Sequence, residues 1–277
     1  MKKKLIFYFY ITPDFFERKT NLINVRCLKE YAHIFDEAEF YLSLDNVEDY
    51  DLIHKIESLL IDLPFRGNIS FKIHQNDSYR ESRIVESEII NKIDEQDCLL
   101  FFAHGKGFTN LEQYEEESMC HWLIGCYYLS LNFIEEMESM IDSNNYTWIS
   151  YGSFPLLSQD KFEDDFVPEN DRYIGRIKHK WCFSGTFFWI NTKRLSDHIN
   201  TFNIKLPKIY DRYYSEKVLG NIMSYGGNAA GHNNMILYSN NNMYNDGVAK
   251  SALNFILQSE EERNEYNNFY NKIMNSL

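Results

Sequence analysis

Four short apolar runs, "KLIFYFYI", "EFYLSLD", "ISFKIHQND" and "CLLFFAH", alternate with three segments of helical periodicity over the first 104 residues. That alternation constrains the fold more than any other feature of the chain. The runs are of strand length, whereas residues 21–35, 47–63 and 80–93 carry apolar side chains at helical spacing. In the first of these segments Leu22, Val25, Leu28 and Ala32 share one side. Strands alternating with helices imply crossover connections and a mainly parallel sheet, so an α/β class is expected. A chain of 277 residues is long enough for one large domain of this kind. Ligands of such sheets sit beyond the carboxyl ends of the strands, which is where Asp45, Asp77 and His104 fall.

The rest of the chain is less regular. After the acidic "EQYEEE", residues 118–141 read as one helix, with Met119, Trp122, Leu123, Cys126, Phe133, Met137 and Met140 at helical spacing. "YTWISYGSF" reads as a strand, and "RYIGRIKHKWCFSGTFFWIN" as extended chain leading into a buried strand. "YDRYYSEKVLGNIMSYGG" reads as a helix stopped at Gly226 and Gly227. An Asn-rich loop near Asn240 then leads to a last amphipathic helix, with Tyr266, Phe269, Tyr270, Ile273 and Leu277 on one side. The expected organisation is a main domain over 1–239 with a C-terminal helical extension of it over 240–277.

Composition and charge narrow the function. A formal net charge of −13 argues against a nucleic-acid partner, which needs a basic face. No run approaches the roughly 20 apolar residues that span a bilayer. "MKKKLIFYFYITPDFF" reads as a first strand and not a signal peptide, because Thr12, Pro13 and Asp14 close it without a small-residue cleavage site. Five cysteines, at 27, 98, 120, 126 and 182, form no CxxC. They fit reduced core thiols of a cytoplasmic protein better than a disulfide framework or zinc site.

The chemistry-bearing stretches are short. In "AHGKGF" a glycine five positions ahead of the Gly-Lys pair would make a P-loop, but residue 100 is Leu. Gly105 and Gly107 still let the backbone approach a ligand and turn amides inward as an anion nest. Lys106 adds a point charge suited to phosphate, and His104 can donate to the same oxygens. A tight turn with a surface lysine is the alternative. In "CFSGTFFWIN" the Ser184-Gly185 pair interrupts a strand where a ligand could reach the backbone. Glu216, with Asp211 and Arg212 upstream, is either a solvent-facing helix carboxylate or, aimed into a cleft, a general base. His232, in "GHNN", is either a loop histidine or a metal or phosphate ligand. No GxGxxG follows the first strand.

Taken in order, these motifs resemble a group of glycosyltransferases found in bacterial capsule and O-antigen clusters and in large DNA viruses, one branch being rhamnosyltransferase-like. The resemblance spans residues 98–221 and is carried by His104, Lys106, Gly107, Ser184, Gly185, Trp189, Arg212 and Glu216. It implies a GT-A-like fold and transfer of a hexose or deoxyhexose from a nucleoside diphosphate sugar, uridine diphosphate being favoured, to a glycan hydroxyl. Inversion is expected, with Glu216 as base and Asp211 as the second carboxylate. Donor binding would fall to His104, Gly105, Lys106, Gly107, Ser184, Gly185, Arg212, Asp45 and Asp77, and acceptor stacking to Trp189. The usual metal motif, Asp-x-Asp, is missing from its place, since Asp94 and Asp97 precede the fourth strand. Manganese or magnesium would then rely on His232 as a protein ligand. A non-catalytic glycan- or nucleotide-binding module is the runner-up, and a nucleotidyltransferase lacks the carboxylate pair it needs.

Overall fold

The structure is a computed structural model that describes residues 1–105, 116–141, 148–153, 155–157, 181–183, 186–206, 208–209, 214–223, 228–230, 237–238 and 247–277. From β1 (Lys3–Ile11) the chain passes through α1 (Lys19–Tyr31) to β2 (Glu37–Leu44), then through α2 (Tyr50–Ile61) to β3 (Asn68–Gln75). α2 starts at Tyr50 and not at Val47 because Asp49 caps it, accepting the Leu52 amide at 3.2 Å. α3 (Glu81–Ile84) continues as a π-helical run, Val85–Ile90, ahead of β4 (Leu99–Gly105). The second half holds α4 (Glu116–Leu131), α5 (Ile134–Ile141), β5 (Trp148–Gly152), β6 (Pro155–Leu157), β7 (Trp181–Phe183) and β8 (Phe188–Asn191). It closes with α6 (Thr192–Phe202), α7 (Tyr214–Met223), β9 (Asn228–Ala230), β10 (Leu237–Tyr238), α8 (Val248–Ile256) and α9 (Glu260–Met274).

Seven strands form one sheet in the order β3-β2-β1-β4-β8-β5-β9, and β10-β6-β7 form a small second sheet. β1 to β4 run parallel, β9 is parallel to β5, and β8 is antiparallel to both its neighbours. The expected α/β class holds, with a mainly parallel, Rossmann-like sheet and helices on both faces. Successive side chains of a strand point to opposite faces, and β1 uses both. Leu5, Phe7, Phe9 and Ile11 enter the layer built with α1, α2, α4, α5, α8 and α9. Ile6 and Tyr8 enter the layer built with α3, α6 and α7.

Several expectations change. Residues 118–141 are two helices and not one, broken at Asn132 and Phe133. α4 buries every residue from Ser118 to Leu131, because the sheet lies on one side and α1, α8 and α9 on the other. No single apolar stripe is therefore visible in it. Residues 80–93 hold only one α-helical turn before the π-helical run. The C-terminal region carries α8 in addition to the last helix. α9 buries Tyr266 and Ile273, with Phe269 and Tyr270 packed beside them, but ends at Met274, and Leu277 beyond it is 40% exposed. Cys27, Cys98, Cys120 and Cys126 are buried free thiols. Among the described residues no helix is long and apolar enough to cross a membrane.

Candidate functional site

Strand order breaks between β1 and β4. The chain builds outward from β1 to β2 and β3, then returns to lay β4 on the other side of β1. Connections leave such a switch point in opposite directions, so a crevice opens beyond the strand ends there. The β1–β4 register brings Tyr8 beside His104 and Phe9 beside Gly105 at this place.

One face of the sheet turns polar as it approaches the crevice. Ile6, Leu100 and Phe102 are fully buried on that face. Tyr8, Tyr10, Ser43, His74, Asn76 and His104 follow toward the carboxyl ends, spaced two apart within each strand as a shared face requires. Tyr8, Tyr10, Ser43 and Asn76 form a hydrogen-bonded patch with Asp45. Tyr10 donates to Asp45 Oδ2 at 2.5 Å, and Asn76 donates to Asp45 Oδ1 at 3.0 Å. Tyr8 donates to Asn76 Oδ1 at 3.5 Å. The bond to Asp45, helped by burial, pushes the Tyr10 phenol up. Burial pushes the Tyr8 phenol up and the His74 imidazole down.

Asp77 lies just past β3 and organises a turn. Its Oδ1 accepts the amides of Tyr79 and Arg80 at 2.8 and 2.9 Å, and its Oδ2 accepts Arg83 Nε at 3.1 Å. Burial alone would raise the Asp77 carboxyl, but Arg83 and the two amides outweigh it and hold the group below the usual carboxylate range. Asp45 and Asp77 are both exposed at the carboxyl ends of their strands while serving internal bonds.

His104 is 4% exposed, with protein on both sides of its ring. Nδ1 lies 3.9 Å from Glu81 Oε1, and Nε2 lies 3.4 Å from Thr186 Oγ1. Gly105 has a packing reason to be glycine: a Cβ there would fall 2.6 Å from Phe9 Cδ1. Its lack of a side chain makes room for Phe9.

Trp189 does not line the crevice. It is fully buried, stacks on Phe35 at 5.5 Å and 18°, and donates its indole N–H to the Ser130 carbonyl at 2.8 Å. A ring with both faces in the core has none to offer a sugar, so the acceptor-stacking expectation is corrected. Asp94 sits at the opposite end of β4, where it accepts from Ser196 and Asn200. Among the described residues no three His, Cys, Asp or Glu side chains gather closely enough to hold a metal ion.

Lys106, Gly107, Ser184, Gly185, Asp211, Arg212 and His232 lie outside the described residues. Glu216 belongs to the first turn of α7, and its side chain lies outside them too. The chain on either side of Asp211 and Arg212 is tied to the helix beside the crevice. Ile209 N–H donates to Glu86 Oε1 at 2.8 Å, and Ser215 N–H donates to Ser82 Oγ at 3.0 Å. Ser82 follows Glu81, the residue that faces His104.

Sequence reasoning did not single out Tyr8, Tyr10, Ser43, Asn76, Glu81 or Thr186. A signal existed for the strand residues, since "YFY", "SLD" and "HQND" each place polar groups two apart at a strand end.

No family model matches the sequence, and no curated protein does. Among solved structures, the chain is similar to the crystal structure of 4-diphosphocytidyl-2C-methyl-D-erythritol synthase from Anaerococcus prevotii. Identity is 10% over 92% of this chain and 96% of that one, with a TM-score of 0.41. A similarity at that level carries no argument about activity.

Proposed function

We propose that this chain is a glycosyltransferase that moves a hexose or deoxyhexose from a nucleoside diphosphate sugar to a hydroxyl of a glycan. The observation that carries the reading is the break in strand order between β1 and β4, with a polar, carboxylate-bearing face opening at it. Nucleotides bind at such breaks in open α/β sheets. In this reading Asp45 and Asp77 take the nucleoside, with uridine favoured. Lys106 and the Gly107 amide neutralise the diphosphate, and Ser184, Gly185 and Arg212 complete the donor site. Glu216 is the base, and Asp211 is the second carboxylate. The tethering of Ile209 and Ser215 beside the crevice supports this assignment, because it brings both ends of the Asp211–Arg212 segment to the same helix.

The acceptor oxygen attacks the anomeric carbon as the bond to the diphosphate breaks, and its proton passes to Glu216. Configuration inverts. Charge developing on the departing diphosphate is met by preorganised donors, which contribute most where water is excluded. The described residues offer no ligand set for manganese or magnesium, so no step is routed through a metal. His232 is the protein ligand to test if turnover needs one.

Calorimetry with uridine diphosphate and a panel of nucleoside diphosphate sugars, followed by donor hydrolysis, tests the reading. Binding with slow nucleotide release supports an enzyme. Binding without any release favours a non-catalytic module, and no binding of any nucleotide sinks the proposal. Lys106→Ala should weaken donor binding by about 1.5–3 kcal/mol, the usual worth of a charged contact, without unfolding the protein.

A further inference from the structure

Three non-glycine residues among those described have positive φ: Arg80 at 50°, Thr186 at 59° and Asn203 at 47°. Asn203 is the left-handed cap that ends α6, a position suited to asparagine. The other two have no such ordinary explanation. A β-branched residue at positive φ is a genuine outlier, and strain of this kind persists only where the surroundings over-determine it. One outlier faces His104 and the other precedes a residue that does. Arg80 directly precedes Glu81, which faces Nδ1, and Thr186 itself faces Nε2.

We propose that His104 is a positioning residue whose imidazole braces two strained backbone positions, Arg80 and Thr186, through Glu81 and the Thr186 hydroxyl. The first lies in the turn that Asp77 organises through the Tyr79 and Arg80 amides. The second directly follows Ser184 and Gly185 in the chain. The ring nitrogens of a histidine are distinct, and the partner at one sets what the other does. A carboxylate facing Nδ1 favours a proton there. Nε2 is then left to exchange a hydrogen bond with the Thr186 hydroxyl. With 4% exposure the ring does not reach for a ligand. It fixes the two positions beside it, so that the donor would meet a preformed crevice and need not order it. This rests on the glycosyltransferase reading for the identity of the ligand, but the brace is a property of the protein alone.

Among the described residues, the charged and titratable groups around the ring come from three places. Tyr8 lies beside it on β1, and Glu81 faces it from α3. Arg80 and Asp77 act on the same neighbourhood, since both bear on the Tyr8 phenol.

Glu81→Gln keeps the side-chain shape and removes the carboxylate. Thr186→Val keeps the branch and removes the hydroxyl, whereas Thr186→Ser keeps the hydroxyl. Each is followed by long-range nitrogen–proton NMR of the His104 ring, by thermal unfolding, and by calorimetry with uridine diphosphate. Glu81→Gln should lower the His104 titration midpoint, and Thr186→Val should alter the state of Nε2. Both should weaken uridine diphosphate binding at least tenfold with little change in melting temperature, and Thr186→Ser should bind close to wild type. An unchanged His104 titration in Glu81→Gln overturns the brace. An altered titration with undiminished uridine diphosphate affinity overturns its link to the crevice. If the wild-type protein binds no nucleoside diphosphate, the functional reading fails, and the ring's titration still decides whether the brace exists.

Discussion

Replacing Gly105 with alanine adds one methyl group where β4 lies against β1. Its carbon would sit 2.6 Å from Phe9 Cδ1 and 2.9 Å from Cε1, whereas carbons pack at about 3.5–4.0 Å. One of the two must yield by about 1 Å. Phe9 has little room to do so. It is fully buried, and the rings of Phe7, Phe15 and Phe40 surround it at centroid distances of 4.4, 5.6 and 6.4 Å. Overpacking of this kind costs about 1–3 kcal/mol. A chain of this size loses roughly 2–4 °C of melting temperature per kcal/mol, so a drop of about 2–12 °C is expected. Scanning calorimetry reads it directly. Phe9→Leu in the alanine background should recover part of the loss, because it removes the atoms that the methyl group meets. A Gly105→Ala protein that melts within about 1 °C of wild type would refute the packing argument. If that protein also lost uridine diphosphate binding, the glycine would serve the ligand instead.

Glu216→Gln should lower turnover about 100-fold or more with donor affinity nearly intact, as loss of a general base does; a variant that transfers sugar at the wild-type rate removes Glu216 from the mechanism. Trp189→Phe should destabilise the protein by about 1–3 kcal/mol, because the Ser130 carbonyl is left buried without its donor. Denaturant titration measures that loss, and a stable variant with a weakened acceptor KM would restore the sugar-stacking role. Glu88 predicts acid sensitivity. Burial would raise its carboxyl, but Lys92, Lys72 and the Tyr41 hydroxyl prevail and hold it at about 2. A depressed carboxylate contributes stability above its unfolded value, and that contribution is lost as pH falls toward the folded one. The melting temperature should therefore drop between about pH 5 and pH 2 with a shallower slope in Glu88→Gln, and equal slopes would exclude Glu88 as the cause.

The parallel half of the fold was legible because β1 to β4 are separate apolar runs divided by segments of clear helical period. β8 was harder. "FWIN" is apolar enough to be buried, but four residues carry no record of direction, which is set by where the chain returns. The π-helical run was hidden for a related reason, since six residues are too few to separate one helical period from another. Within the candidate site, Asp45 and Asp77 were readable from their places at strand ends. Glu81 and Thr186 were not, because their relation to His104 depends on two unusual backbone conformations that residue identity does not announce. Gly105 also has a packing role that its local sequence conceals. A glycine beside a lysine reads as a ligand loop, yet the aromatic ring that needs its missing side chain lies 96 residues earlier in the chain.

Sequence distance also sets the order in which the sheet can assemble. The β1–β2 and β2–β3 pairs join residues about 30 apart, whereas the β1–β4 and β4–β8 pairs join residues about 90 apart and close much larger loops. Contacts between distant segments lose chain entropy before they return any stabilisation, so they form late. The crevice needs pairings of this second kind, β1 against β4 and the chain at Thr186 that leads into β8, in addition to the nearer pairs that set Asp45 and Asp77. A chain that has formed only β1, β2 and β3 thus has part of its first apolar layer but no completed crevice. The ability to bind would then arrive with the last cooperative step of folding, and a ligand held there would stabilise the completed sheet as a whole.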